Sequence, residues 1–169
     1  MTNKLYNENF KVLNLLAPQD IVATATASNY IKVENAAGTI QFDVPFGTIA
    51  STDSTGEVVL TIEASTAGSS NATEQAIAFK YRMSEAVATD SMGAITSATA
   101  SGAAINSSTD DNKVMHLFVE PSQLAAVGAD FKYLRVVITP TAEITSTIVG
   151  GVLARFVNRF AQASQISST

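Results

Sequence analysis

The chain contains no cysteine and no tryptophan, a single histidine, four prolines and few aromatic residues, 7% in all. The missing cysteines exclude disulfides, thiol nucleophiles, thiolate zinc sites and iron–sulfur clusters together. Charge is also sparse: 15% of residues are charged and the net charge is −5. Without clustered Lys and Arg, neither nucleic acid nor an anionic membrane surface is an expected partner. No run approaches the ~18 apolar residues of a membrane-spanning helix. The opening MTNKLYNENFKVLNLLAP lacks the continuous apolar region of a signal peptide. The expectation is a soluble protein made in a cytoplasm.

What is present is small and apolar. Hydrophobic residues make up 46% of the 169, enough for one domain that buries roughly 70% of its unfolded surface. Period-two alternation dominates, as in half-buried strands. Leu134, Val136 and Ile138 alternate with Tyr133, Arg135 and Val137; Val58, Leu60 and Ile62 alternate with Val59, Thr61 and Glu63. Met115, Leu117 and Val119 alternate with His116 and Phe118, and Ile77, Phe79, Tyr81 and Met83 with Ala78, Lys80 and Arg82. Further strands are expected at Asp20–Ser28, with Ile21, Ala23, Ala25 and Ala27 on one face, and at Tyr30–Glu34. Another is expected from Ile40 to Pro45, and one through STIVGGVLARF. Clusters of Gly, Asn, Asp and Ser separate these runs and supply turn dihedrals. Helical spacing appears once, in PSQLAAVGAD, with Pro121 at the start and Gly128 past the end.

The pattern predicts an all-β antiparallel sandwich, jelly-roll-like, over residues 20–157. Residues 1–19 are expected to form an extended N-terminal arm and 158–169 a polar C-terminal tail. Phe10, Val12, Leu13, Leu15 and Leu16 make the arm too apolar for a free linker, so they are candidates for a protein interface. The predicted core is Val58, Leu60, Ile62, Leu117, Val119, Leu134, Val136 and Ile138.

Residues that could carry chemistry are few. His116 lies mid-strand with no nucleophile motif nearby, which favours a face position over a catalytic base. Asp110 and Asp111 in STDDN lack the ligand spacing of a calcium loop, and Asp53 in TDSTGE has the same turn character. Glu63 and Glu120 could act as a glycosidase pair only if the fold joined them. Gly150 and Gly151 are read as a strand bulge or close backbone approach rather than a phosphate loop. Asn71 and Asn106 begin glycosylation-type triplets and are read as loop residues. Lys80, Arg82, Arg135, Arg155 and Arg159 remain. Arginine serves both sheet surfaces and protein interfaces, and Arg135 and Arg155 are added to the interface candidates. No catalytic, cofactor or metal site is expected.

Three stretches, LAPQDI near the start, KYLRVVITP, and the closing VGGVLARF, resemble a group of small tailed-bacteriophage proteins taken to be capsid decoration, or cement, proteins. The resemblance frames roughly Leu16 to Phe156 and does not extend to YRMSEAVATDSMGAITSATASGAA. It implies a non-enzymatic structural protein of the virion, without cofactors. The implied protein binds the major capsid protein on the outer capsid surface after synthesis in the host cytoplasm. It also implies a homo-oligomer, commonly a trimer. A carbohydrate-binding adhesion sandwich and a tail structural protein are the alternatives. Sugar sites usually use aromatic platforms, and this chain is poor in them.

Overall fold

The computed structural model describes residues 11–33, 36, 38–69, 72–86, 91–156 and 166–167. Among these, two antiparallel sheets pack face to face around one core, as expected for a β-sandwich. Sheet 1 holds β1 (Lys11–Leu16), β2 (Gln19–Asp20), β5 (Ile40–Ser51), β8 (Phe79–Met83), β9 (Thr96–Ala98), β11 (Val114–Val119), β13 (Ile144–Val149) and β14 (Val152–Phe156). Sheet 2 holds β3 (Thr26–Ala27), β4 (Tyr30–Lys32), β6 (Glu57–Ser65), β7 (Glu74–Ile77), β10 (Ala103–Asn106), β12 (Tyr133–Pro140) and β15 (Ile166–Ser167). The helix α1 (Pro121–Val127) links β11 to β12.

Alternation decides which residues face inward. All eight residues of the predicted core are fully buried. They belong to β6, β11 and β12, strands in which a large apolar side chain occupies every second position and faces inward. The β6–β12 ladder runs from Ser65 opposite Tyr133 to Val58 opposite Pro140 without a break. α1 is stopped and started as the sequence suggests. Pro121 occupies its first turn, the Gln123 Oε1 accepts the Glu120 N–H at 2.8 Å, and Gly128 follows it with φ of 151°.

Several boundaries differ from expectation. β5 does not end at Pro45 but continues to Ser51, pairing with β11 and β14 first and with β13 beyond. The Pro45 carbonyl accepts the Gly150 N–H at 2.8 Å. Its ring nitrogen therefore faces the Gly150–Gly151 interruption between β13 and β14, where no ladder bond is lost. Gly151 has φ of 110°, and a Cβ there would lie 2.6 Å from the Leu16 carbonyl oxygen. This is the close backbone approach expected of the glycine pair. Residues 20–28 do not form one strand. Asp20 and Ile21 bind β13, Ala23 takes φ of 55°, and the chain crosses to sheet 2 as β3. Alanine alternation buries little, so only Ile21 of that run anchors in the core.

The expected N-terminal arm is also corrected. Lys11–Leu16 is an edge strand of sheet 1, paired with β14 from Lys11 opposite Phe156 to Leu16 opposite Val152. Leu15 is in the core, and Leu13 and Leu16 pack against it. Burial of these leucines against the chain's own sandwich outweighs leaving them for a neighbour. Of the C-terminal tail, Ile166 and Ser167 pair with Ile31 and Tyr30 of β4.

Leu134→Ala and Ile138→Ala should each cost about 2–5 kcal/mol, read as a lower urea midpoint at unchanged slope. Leu15→Ala should fall in the same range of about 2–5 kcal/mol, and removal of residues 1–16 should destabilise the whole sandwich rather than leave it intact. A truncated chain with the parent's urea midpoint would show that β1 is dispensable.

Candidate functional site

Two clusters of ionisable side chains lie on the outward sheet faces. On sheet 1, β5 lies between β14 and β11, with His116 directly opposite Asp43 and Arg155 opposite Gln41. Opposed residues share a face, so these four side chains meet above the same strand. The His116 Nδ1 donates to Asp43 Oδ1 at 2.6 Å, and Gln41 Nε2 donates to the same oxygen at 2.6 Å. Arg155 forms an ion pair with Asp43 Oδ2 that lacks hydrogen-bond alignment. Asp43 is only 3% exposed although it sits on an outer face, because its neighbours cover it. Burial pushes its carboxyl upward, but hydrogen bonds from His116 and Gln41 and the charge of Arg155 prevail and hold it below the usual range.

The same face continues onto β8. Arg82 stands opposite His116, and Lys80 opposite Phe118. The Arg82 guanidinium lies over the Phe118 ring, 5.7 Å from its centroid. Its Nε is shut away from solvent without an acceptor. Lys80 reaches Glu120 at 3.4 Å across the rim. At the opposite edge, Val12 is 50% exposed beside Arg155.

On sheet 2, Arg135 stands opposite Glu63, and β7 brings Glu74 alongside. Arg135 donates from Nε to Glu63 at 2.8 Å and from Nη2 to Glu74 at 2.6 Å. Its guanidinium stacks on Tyr30, 4.7 Å from the ring centroid, and the Tyr30 hydroxyl donates to Glu74. Tyr30 is fully buried. Burial, then the hydrogen bond to Glu74, pushes its hydroxyl up to about 12.

The structure separates the candidates named from sequence. Arg135 is tied within the chain to two carboxylates and a tyrosine, with 16% of its side chain exposed. Arg155 is tied to Asp43 yet remains partly exposed. Val12 is a surface residue, Leu13 and Leu16 are half-buried, and Leu15 is removed from the interface set because it is core. Phe10, Arg159 and Asn71 lie outside the described residues. Glu63 and Glu120 have separate partners, Arg135 and Lys80. Asp110 accepts from the Asn106 N–H and Lys113, Asp111 from the Ile49 N–H, and Asp53 from Thr55. These aspartates act as turn ties. His116 is a face residue, and its partner Asp43 went unnoticed in the sequence. The polar Asp43 between inward Phe42 and Val44 was the available signal, but nothing local says which strand lies opposite.

Comparison with protein families, curated proteins and solved structures gives no match to this chain. No helix among the described residues is long and apolar enough to cross a membrane, and no cluster of three metal-ligating side chains occurs among them.

Asp43 is more acidic folded than unfolded, so its contribution is present above the ordinary carboxylate range and lost as pH falls through the folded value. Asp43→Asn should cost about 1–3 kcal/mol at neutral pH and flatten the acid limb of stability below about pH 4. Tyr30 has the opposite sense. The unfolded chain releases this proton first, so the contribution is complete below about pH 10 and declines toward pH 12. Ultraviolet titration should show one of the four tyrosines ionising late, and Tyr30→Phe should abolish that phase.

Proposed function

We propose that this chain is a non-enzymatic structural protein that binds a large protein surface, and specifically a decoration protein on the outer surface of a bacteriophage capsid. The observation that carries the reading is the placement of the charged clusters. Both lie on broad sheet faces and not in a cleft, and most of their charges are spent on tying adjacent strands together. A flat face that mixes guanidinium groups, Phe118, Leu153 and exposed Val12 has the composition of a protein interface. The three stretches resembling decoration proteins map onto β1–β2, β12 and β14. Two of these, β1–β2 and β14, are neighbours in sheet 1. A jelly-roll-like wrapping belongs to the same reading. From β5 onward the chain alternates repeatedly between the sheets, crossing at 52–56, at Ala78, at 99–102, at 107–113, through α1 and at 141–143. The reading places the protein in the virion, with the major capsid protein as partner and no cofactor.

Affinity per site need not be high, because a shell repeats each contact many times. Purified protein added to shells that lack it should co-sediment with them and raise the temperature at which they open. Full-length, folded protein that never sediments with shells would sink the reading.

A further inference from the structure

Three turns meet at one end of the sandwich. The Thr52 N–H donates to the Glu143 carbonyl at 2.9 Å, the Thr141 N–H to that of Glu57 at 2.9 Å, and the Ser107 N–H to that of Gly56 at 3.1 Å. This end carries the carboxylates of Asp53, Glu57 and Glu143, and none of the ion pairs among the described residues involves them. Away from this end, the outer face of sheet 1 carries Lys80, Arg82 and Arg155.

Arg82 differs from the others there. Arg155 has Asp43 and Lys80 has Glu120, whereas Arg82 has, among the described residues, the face of Phe118 but no carboxylate, and its enclosed Nε has no acceptor there. A carboxylate arriving from outside would meet the rest of this guanidinium in a charge-assisted hydrogen bond. An arginine held flat on an aromatic ring also has little freedom left to lose on binding. The two surfaces cannot satisfy each other within one molecule. From Asp43 to Ser51, β5 advances roughly 25 Å at ~3.3 Å per residue, and the acidic turns lie beyond Ser51.

We propose that copies of this chain bind head to tail, the acidic end of one against the outer face of sheet 1 of the next, with Arg82 receiving a carboxylate from the incoming copy. The contact is heterologous, so it closes into a ring or propagates. The proposal rests on reading the chain as a repeated structural component, but its test needs no shells. Loss of shell binding with self-association intact would count against the shell reading alone.

The test is sedimentation velocity on the full chain over a range of concentrations at low salt. The wild type should associate, and association should weaken sharply near 1 M salt, where screening acts over ~3 Å. Arg82→Glu, and separately the pair Asp53→Lys with Glu143→Lys, should each weaken association about tenfold or more, equivalent to about 1.4 kcal/mol. Mixed together, the two variants should recover association, because each retains one intact surface and their reversed charges also match one another. Lys80→Glu, at a half-exposed site on the same face, serves if Arg82→Glu fails to fold by circular dichroism. A wild type that stays monomeric at every concentration overturns the proposal. So does a folded face variant that associates like the parent, or a mixture that recovers no association.

Discussion

Strand β5 is the constraint on which the sandwich depends. It is the longest strand among those described, and it must serve two neighbours in its first half and β13 in its second. A straight ladder on both sides would demand an amide hydrogen at every position, and Pro45 has none. The difficulty is resolved by placing Gly150 and Gly151 beside it. The glycine pair interrupts β13–β14 where Pro45 cannot donate, and Gly151 lets the Leu16 carbonyl approach closely enough for β1 to pair with β14. One proline and two glycines, far apart in sequence, thus fix how three strands line up.

The charged clusters act on register more than on total stability. Single core truncations cost about 2–5 kcal/mol, and some thirty side chains are buried in this core. A partly exposed ion pair contributes far less than that sum. Yet slipping β5 or β12 by one residue would turn Asp43 or Arg135 into the core and Phe42 or Leu134 out to solvent. Burying an unpaired charge is penalised heavily enough to exclude the alternative pairings. The arginine in the middle of β12 is thus tied rather than unpaired. Glu63, Glu74 and Tyr30 make that arginine a clamp across β7, β6, β12 and β4.

How much of this was legible depended on side-chain size. β6, β11 and β12 were plain because Val, Leu, Ile and Met occupy every second position, and inward burial follows directly. α1 was plain from its proline and glycine. The stretch 92–106 gave no such contrast. It is almost all Ala, Ser, Thr and Gly, yet it contains β9, β10 and the tight Thr99–Gly102 turn between them. Small residues bury too little to mark a face, so these strands form because β8 and β6 offer edges to pair with. For the same reason the alanines of 20–28 suggested one continuous strand where there are two short pieces in different sheets. β1 was misassigned on a different ground. Its apolar residues were noticed, but whether they bury in the same molecule depends on an edge of β14 some 140 residues away. The Asp43–His116 pair is a non-local fact of that kind, set by the pairing of β5 with β11.

The two faces also end in different states, and that difference bears on function. On sheet 2, Arg135 is saturated by two carboxylates and an aromatic ring, and Tyr30 beneath it is fully buried. Such a face needs no partner to complete it. On sheet 1, Asp43 pairs with both His116 and Arg155, and among the described residues no carboxylate pairs with Arg82, although Arg82 is only one strand further on. Three carboxylates without an ion pair among the described residues, those of Asp53, Glu57 and Glu143, lie instead beyond the far end of β5. Solubility alone would be served by mixing the signs. Separating them leaves each molecule with two unmatched surfaces, and electrostatic complementarity favours meeting them between molecules, where it steers encounter and fixes orientation.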